Sequence, residues 1–168
     1  TWGRLTAVAN SSPLIWLAKA GWLKLLKAVF GELLISEKVY EEVVVRGLEE
    51  GFKDALAVKR AVEDGWIKVV RVRPEVEAED LHPGEVEATS LAKEKGCTLL
   101  ADDRVARALA KALGVEVRGT AFVLLRAVKM GLISGKEARS VLHGLVEAGF
   151  RLDPALLSRL FGELERAE

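Results

Sequence analysis

The residues able to do chemistry lie far apart in this chain. Glu41 and Glu42 sit in "VYEEVV", Glu85 and Glu87 in "LHPGEVEATSLA", and Asp102 and Asp103 in "LLADDRVARALAKALG". Asn10, the single Asn of a chain without Gln, ends the apolar run "LTAVAN", and two serines follow it. Three or four carboxylates gathered in one place repel one another strongly unless cations neutralise them. An all-oxygen set suits Mg²⁺ or Mn²⁺, which keep waters and bind phosphates. Such an ion activates water and stabilises the charge that develops on a scissile phosphate. Beside Asp103, Arg104 and Arg107, with Lys111 on the same side, suit the backbone of a nucleic acid. Read singly, each of these acids is also what a helix start favours, because it complements the helix dipole and caps free amides.

Helical geometry selects within each glutamate pair, since adjacent and alternate residues do not share a face. Val39 and Val43 are expected to face a sheet. Glu42, three after Val39, borders that stripe, whereas Glu41, four after Glu37, falls on a charged outer face. Glu85 stands above Ala88, Thr89 and Ala92, while Glu87 aligns with Glu94 on a solvated line. Glu42 and Glu85 are therefore the inward pair.

Short apolar runs alternate with helical stretches. "LTAVA" (5–9), "ELLIS" (32–36), "WIKVVRVRP", "CTLLAD" and "VEVRG" read as five strands. Between them, Ser12 with Pro13 predicts a helix start, and Gly21 a break. Ser36 predicts a second start and Gly47 its end, and Pro83 and Gly96 bound a further helix. Three helical stretches then follow with no strand between them. This alternation predicts a parallel sheet with helices on both faces. In such sheets ligands bind beyond the carboxyl ends of the strands. Those ends carry Asn10, Ser11 and Ser12 after strand one, and Asp102 and Asp103 after strand four.

The bulk properties fit one domain: 168 residues, half of them hydrophobic. Twenty-five basic residues balance 25 acidic ones, so any affinity for nucleic acid must come from a local patch. The single Cys97 makes no internal disulfide, and a reducing cytoplasm is the expected location. No signal peptide and no membrane span are read in the sequence. The scarcity of amides, with 30% charged residues, fits a heat-adapted source.

Other candidates carry less. His82 precedes Pro83 at a helix start and reads as an exposed turn residue. His143 has no His partner at metal-ligand spacing. Cys97 reads as a small core residue. Ser11 and Ser12 lack a GxSxG elbow, and the glycines form neither a dinucleotide nor a P-loop motif. Trp2, Trp16, Trp22 and Trp66 read as core or interface rather than base-stacking platforms. Leu156, Leu157, Leu160, Phe161 and Leu164 recur at helical spacing, suited to covering the sheet or to making a dimer or partner contact.

Taken in order, "VANSSPLIWLAKAG", "VYEEVV", "LHPGEVEATSLA", "LLADDRVARALAKALG" and "VRGTAFVLLRAVKMGLI" resemble the PIN domain, in a prokaryotic branch related to toxins of toxin–antitoxin pairs. The resemblance runs from about Leu5 to Ile133, and "GLVEAGFRLDPALLSRLFGELE" looks like the tail of that branch. It implies a PIN-like, Rossmann-like three-layer α/β/α fold with a parallel sheet of about five strands. Residues 1–133 would form the PIN-like domain, and 134–168 a helical C-terminal extension packed on it. It further implies Mg²⁺- or Mn²⁺-dependent cleavage of RNA or other single-stranded nucleic acid, an antitoxin partner and a homodimer. The family's four acidic positions fall on Asn10, Glu42, Glu85 and Asp103, with Asp102 beside the last as a further metal ligand. Ser12 matches the accompanying hydroxyl. With Arg104 and Arg107 it would contact nucleic acid. Asn10 departs from the usual Asp: its amide oxygen can ligate Mg²⁺ but brings no charge. Three readings stay open. The enzyme works with a weakened site; the domain is a degenerate module that binds nucleic acid or a protein without cutting; or Asn10 deamidates to Asp. A plainer reading makes Asn10 a helix cap.

Overall fold

A computed structural model describes residues 6–73, 82–152 and 154–166. Five strands, β1 (Ala7–Ala9), β2 (Leu33–Ser36), β3 (Ile67–Val70), β4 (Thr98–Leu100) and β5 (Val117–Arg118), form one sheet in the order β3-β2-β1-β4-β5. All pairs are parallel, with Val8 opposite Leu34 on one side and Leu99 on the other. The expectation of a parallel α/β sheet of about five strands holds. Consecutive residues Ala7, Val8 and Ala9 are all fully buried, so both faces of the central strand are covered. That is why the strands read as unbroken apolar runs rather than as an alternation.

Helices α1 (Ser11–Lys19), α2 (Lys24–Phe30), α5 (Asp54–Glu63), α6 (Pro83–Lys95), α7 (Arg104–Ala112) and α8 (Thr120–Lys129) fill the crossovers. Helix α6 lies across β1, β2 and β4, and it also packs against the helix following β2 and against α7. Its Ala88, Thr89, Leu91 and Ala92 are almost completely buried, small enough for close approach to the sheet. Two last helices, α9 (Gly135–Glu147) and α10 (Pro154–Arg166), pack on α8 and on each other. Leu142, Leu145, Phe150, Leu160 and Leu164 join the same core as the sheet. Among the described residues no helix is long and apolar enough to cross a membrane. Trp16, Trp22 and Trp66 are half-buried against the core, and Trp2 lies outside the described residues.

Two local expectations need correction. Ser12 does not cap α1. Asn10 does, its Oδ1 accepting the Ser11 amide at 2.9 Å. Pro13 therefore sits third in the helix, still within the first turn, where a missing N–H costs nothing. Gly47 does not end the helix after β2. That helix runs from α3 (Glu37–Tyr40), capped by Ser36 Oγ on the Val39 amide at 3.1 Å, through a π-helical turn (Glu41–Val45) into α4 (Arg46–Glu49). It ends at Gly51, which has φ +79°, with Phe52 N donating to Gly47 O and Gly51 N to Leu48 O. This is the paired-bond cap that a left-handed residue permits. Gly47 serves packing instead. A Cβ there would lie 2.8 Å from the Ala55 Cβ on α5.

That contact separates two effects of one substitution. Gly47→Ala gains about 1 kcal/mol in helix propensity but overpacks the α4–α5 contact at a cost of about 1–3 kcal/mol. The net expectation is a loss of stability, read as a lower urea midpoint with an unchanged m-value. A midpoint that rises would mean the two helices separate freely.

Candidate active site

The order of the sheet reverses at β1, so the carboxyl ends of β1 and β4 lie side by side; the Asn10 amide donates to Leu100 O at 2.9 Å. The chain turns into α1 after β1 and into α7 after β4, and α6 crosses above them. The amino ends of three helices therefore meet at one sheet edge, and each delivers polar side chains.

Glu42 arrives from the π-helical turn. Such a turn widens the helix by one residue and commonly marks functional positions. Its side chain is 16% exposed, against 46% for the neighbouring Glu41, which pairs with Lys38 at 3.3 Å on the surface. Glu42 Oε2 accepts the Ser11 hydroxyl at 2.8 Å, and Oε1 meets His82 Nδ1 at 2.7 Å. Gly84, in the first turn of α6, makes room for this carboxylate. A Cβ there would lie 2.6 Å from Oε1 and 2.7 Å from Oε2.

Glu85 follows at the same helix start. Its carboxyl is raised above the usual value of 4.5, first by burial and next by the negative charge of Asp103; His82 opposes this, while a side-chain hydrogen bond with Asp103 and the charge of Glu42 add to it. Asp103 also caps α7, its Oδ2 accepting the Ala106 amide at 3.0 Å. The capping reading and the site reading thus describe the same side chain.

Asp102 points elsewhere. Its Oδ1 accepts the Thr120 amide at 2.7 Å, and its Oδ2 accepts the Thr120 hydroxyl at 2.7 Å and the Ser12 hydroxyl at 3.3 Å. Burial raises its carboxyl above the ordinary value, and the Thr120 bonds, Ser12 and the Arg107 charge pull it back. Gly119 leaves the gap it needs, since a Cβ there would stand 2.8 Å from Oδ1. Asp102 thus ties β4 to the start of α8, with both oxygens engaged by donors from the chain.

Glu87 departs from the solvated line expected of it. Burial raises its carboxyl, and the backbone amide of Lys38, the Lys38 charge and the Ser36 hydroxyl lower it. It serves the start of α3. Sequence reading also missed the part of His82, exposed as expected but bound to Glu42, and the parts of Ser11, Thr120, Gly84 and Gly119. The available signals were the "HPGE" and "RGT" turns, each placing Gly where a helix begins. Cys97 is half-buried, its thiol pushed up by burial. His143 packs on Phe161 with ring centres 4.6 Å apart.

The structure therefore brings Glu42, Glu85 and Asp103 within electrostatic reach of one another, with Asn10 joined to Glu42 through Ser11. Among the described residues no three His, Cys, Asp or Glu side chains are gathered tightly enough to hold a metal ion by themselves. Mg²⁺ asks for less, binding through one or two carboxylates with waters completing its shell. The neighbouring carboxyls of Glu85 and exposed Asp103 fit that demand, because a cation would offset the negative charge that Asp103 brings to Glu85. Arg104, Arg107 and Lys111 line a groove of about 960 Å³ that starts at Ser12, Asp102 and Asp103.

A family model described as a PIN domain matches residues 6–166. Among solved structures, a PilT N-terminus domain protein from the hyperthermophilic archaeon Sulfolobus solfataricus is similar at TM-score 0.51 and 22% identity, over 71% of this chain and 90% of that one. A domain of a functionally unknown protein from Methanocaldococcus jannaschii gives TM-score 0.46 and 18% identity, over 68% and 90%. No curated protein matches.

Two outcomes follow from the acid cluster. Since Glu85 binds its proton more tightly folded than unfolded, the folded state loses stability as pH rises from about 4.5 through the raised value. In chelator, Glu85→Gln is expected to melt above the unsubstituted protein at pH 7, with the difference closing as pH falls to about 4. Equal melting at pH 7 would mean that the carboxyl is not strained. Gly84→Ala is expected to push Glu42 off Ser11 and His82. A His82 imidazole resonance at the same chemical shift as in the unsubstituted protein would contradict it.

Proposed function

This chain belongs to the PIN-domain family, and from that premise we propose that it is a metal-dependent endoribonuclease that hydrolyses RNA phosphodiester bonds. PIN domains are generally nucleases that depend on divalent metal. The observation that carries the reading is the convergence of Glu42, Glu85 and Asp103 at one sheet edge: Glu42 packs on Gly84 and His82 at the start of α6, and the charges of Asp103 and Glu42 both raise the Glu85 carboxyl. A cation there would offset that repulsion. In this reading Glu85 and Asp103 hold Mg²⁺ or Mn²⁺ directly, and Glu42 and Asn10 act from one layer further out. The bound ion would supply an activated water and stabilise charge on the phosphate. Ser11 fixes Glu42 and, through its amide, Asn10. Asp102 keeps α8 and β4 in register beneath the site rather than ligating. Arg104 and Arg107 hold the phosphate backbone, with Ser12 at the mouth of the groove. The same proposal makes the protein a cytoplasmic toxin, working as a homodimer and restrained by an antitoxin.

A second reading has its own observation. Asn10 gives its Oδ1 to the Ser11 amide, and Glu42 gives both oxygens to Ser11 and His82. In this reading, with Asn10 and Glu42 engaged by the chain itself, the domain serves as an interaction module without chemistry.

Mn²⁺ titration and RNA cleavage separate the two. An ion at 100 times its dissociation constant adds about 2.7 kcal/mol to stability, so the nuclease reading expects a clear rise in melting temperature. Asp103→Asn should abolish that rise and lower cleavage beyond the roughly 10–100-fold that loss of an outer partner costs. Asn10→Asp keeps the cap and adds a charge. It should melt lower in chelator yet bind Mn²⁺ more tightly and cleave faster. No response to Mn²⁺, and no cleavage by any of the three, would leave the interaction module standing.

A further inference from the structure

We propose that the C-terminal extension is part of the nucleic-acid interface, and that Arg151 and Lys111 grip the RNA backbone from opposite walls of the groove beside Asp103. The inference rests on the nuclease reading, because the groove begins at that site. One wall is α7, whose Arg104, Arg107 and Lys111 recur at spacings of three and four and so form a single stripe. From Arg104 to Lys111 the stripe extends about 10 Å along the helix, at 1.5 Å per residue. The facing wall is made by Phe150, Arg151 and Leu152, which follow α9, and by the start of α10 with Pro154 and Leu156.

Two observations assign this groove to a polyanion. The first is charge. The chain has as many acids as bases, and Lys38, Lys59, Lys68 and Arg118 all have carboxylate partners within 4 Å. Among the described residues Arg104, Arg107, Lys111 and Arg151 have no salt-bridge partner, as is true of other cations such as Lys24, Lys53 and Lys136, but these four line one groove. Arg107 leans towards buried Asp102, which is already satisfied by Thr120 and Ser12. Four cations on one open surface, with only Asp102 and Asp103 as acids among the groove's described lining residues, repel one another, and phosphates spaced along a strand remove that repulsion. The second observation is anchorage. Phe150 is 2% exposed and meets the Trp16 ring edge-on at 5.5 Å, so the residue just before Arg151 is fixed to α1 at the floor of the groove. Arg151 is thus held at the groove by a buried neighbour, not trailed past it on a loose tail. Leu156, 46% exposed, and Trp16 add apolar surface between the cations, against which unstacked bases can lie.

The test reads the salt dependence of binding. In chelator, where nothing is cut, a labelled single-stranded oligouridylate is titrated with protein at several salt concentrations and followed by fluorescence anisotropy. Each phosphate contact on a single strand contributes about 0.7 to the slope of log K against log salt. Arg151→Ala and Lys111→Ala are each expected to flatten the slope by about 0.7, Arg151→Lys to keep it, and Lys59→Ala on α5 to leave it unchanged. Arg151 and Lys111 are exposed and Lys59 is half-buried, and unchanged melting temperatures check that the fold is intact. If the unsubstituted protein binds and cleaves RNA while Arg151→Ala binds with the same slope and affinity, the extension is no part of the interface and the nuclease reading survives alone. If the unsubstituted protein neither binds nor cleaves RNA, the nuclease reading fails and this inference fails with it.

Discussion

Strand β1 is paired on both sides, to β2 and to β4, and that double pairing fixes where charge can gather. Because the sheet order reverses there, the chain leaves β1 and β4 at one edge while α6 starts above them. Three helix amino ends bring donors to the same place, and carboxylates follow for the ordinary reason that acids suit such ends. The acids then differ in how their charge is met. Asp102 is met by Thr120 and Ser12, Glu42 by Ser11 and His82, and Asp103 in part by the first amides of α7. Glu85 is the one left facing another carboxyl. The chemistry of the edge turns on that residue and on Asp103, whose charge it meets.

The sheet was legible in the sequence because its strands are buried on both faces. Such strands appear as short, unbroken apolar runs, and Pro83, Gly96 and Gly21 punctuate the helices between them. The inward turn of Glu42 and Glu85 was legible from helical spacing. What spacing could not give was the partner of each acid. Glu87 looks solvated on a helical wheel, but α6 is enclosed nearly all round, so the face opposite the sheet meets α3 instead of water. Asp102 and Asp103 are neighbours with equal side chains, and only the position of Thr120, 18 residues on, tells them apart. Gly47 and Gly51 both look like helix ends. Which of them adopts the left-handed turn depends on the approach of Ala55, a contact no local pattern carries.

The last two helices are bound into the molecule through the same core that supports the sheet. Phe150, Leu160 and Leu164 pack where α8 and α1 would otherwise be bare. Phe150, Arg151 and Leu152 consequently line the groove beside α7, and what lies on that flank is decided by the tail as much as by the sheet.

The π-helical turn at Glu41–Val45 also bears on how this chain is compared with others. It holds one residue more than the same length of α-helix would, and every side chain after it is rotated by about 100° from where a regular helix would carry it. A homologue with a plain helix at this place would match residue for residue up to Tyr40 and again from Arg46 only across a one-position gap. Aligned without the gap, its counterpart of Glu42 would be assigned to Glu41 or Val43, and a carboxylate at this sheet edge would be scored as lost where it has only been displaced by an insertion.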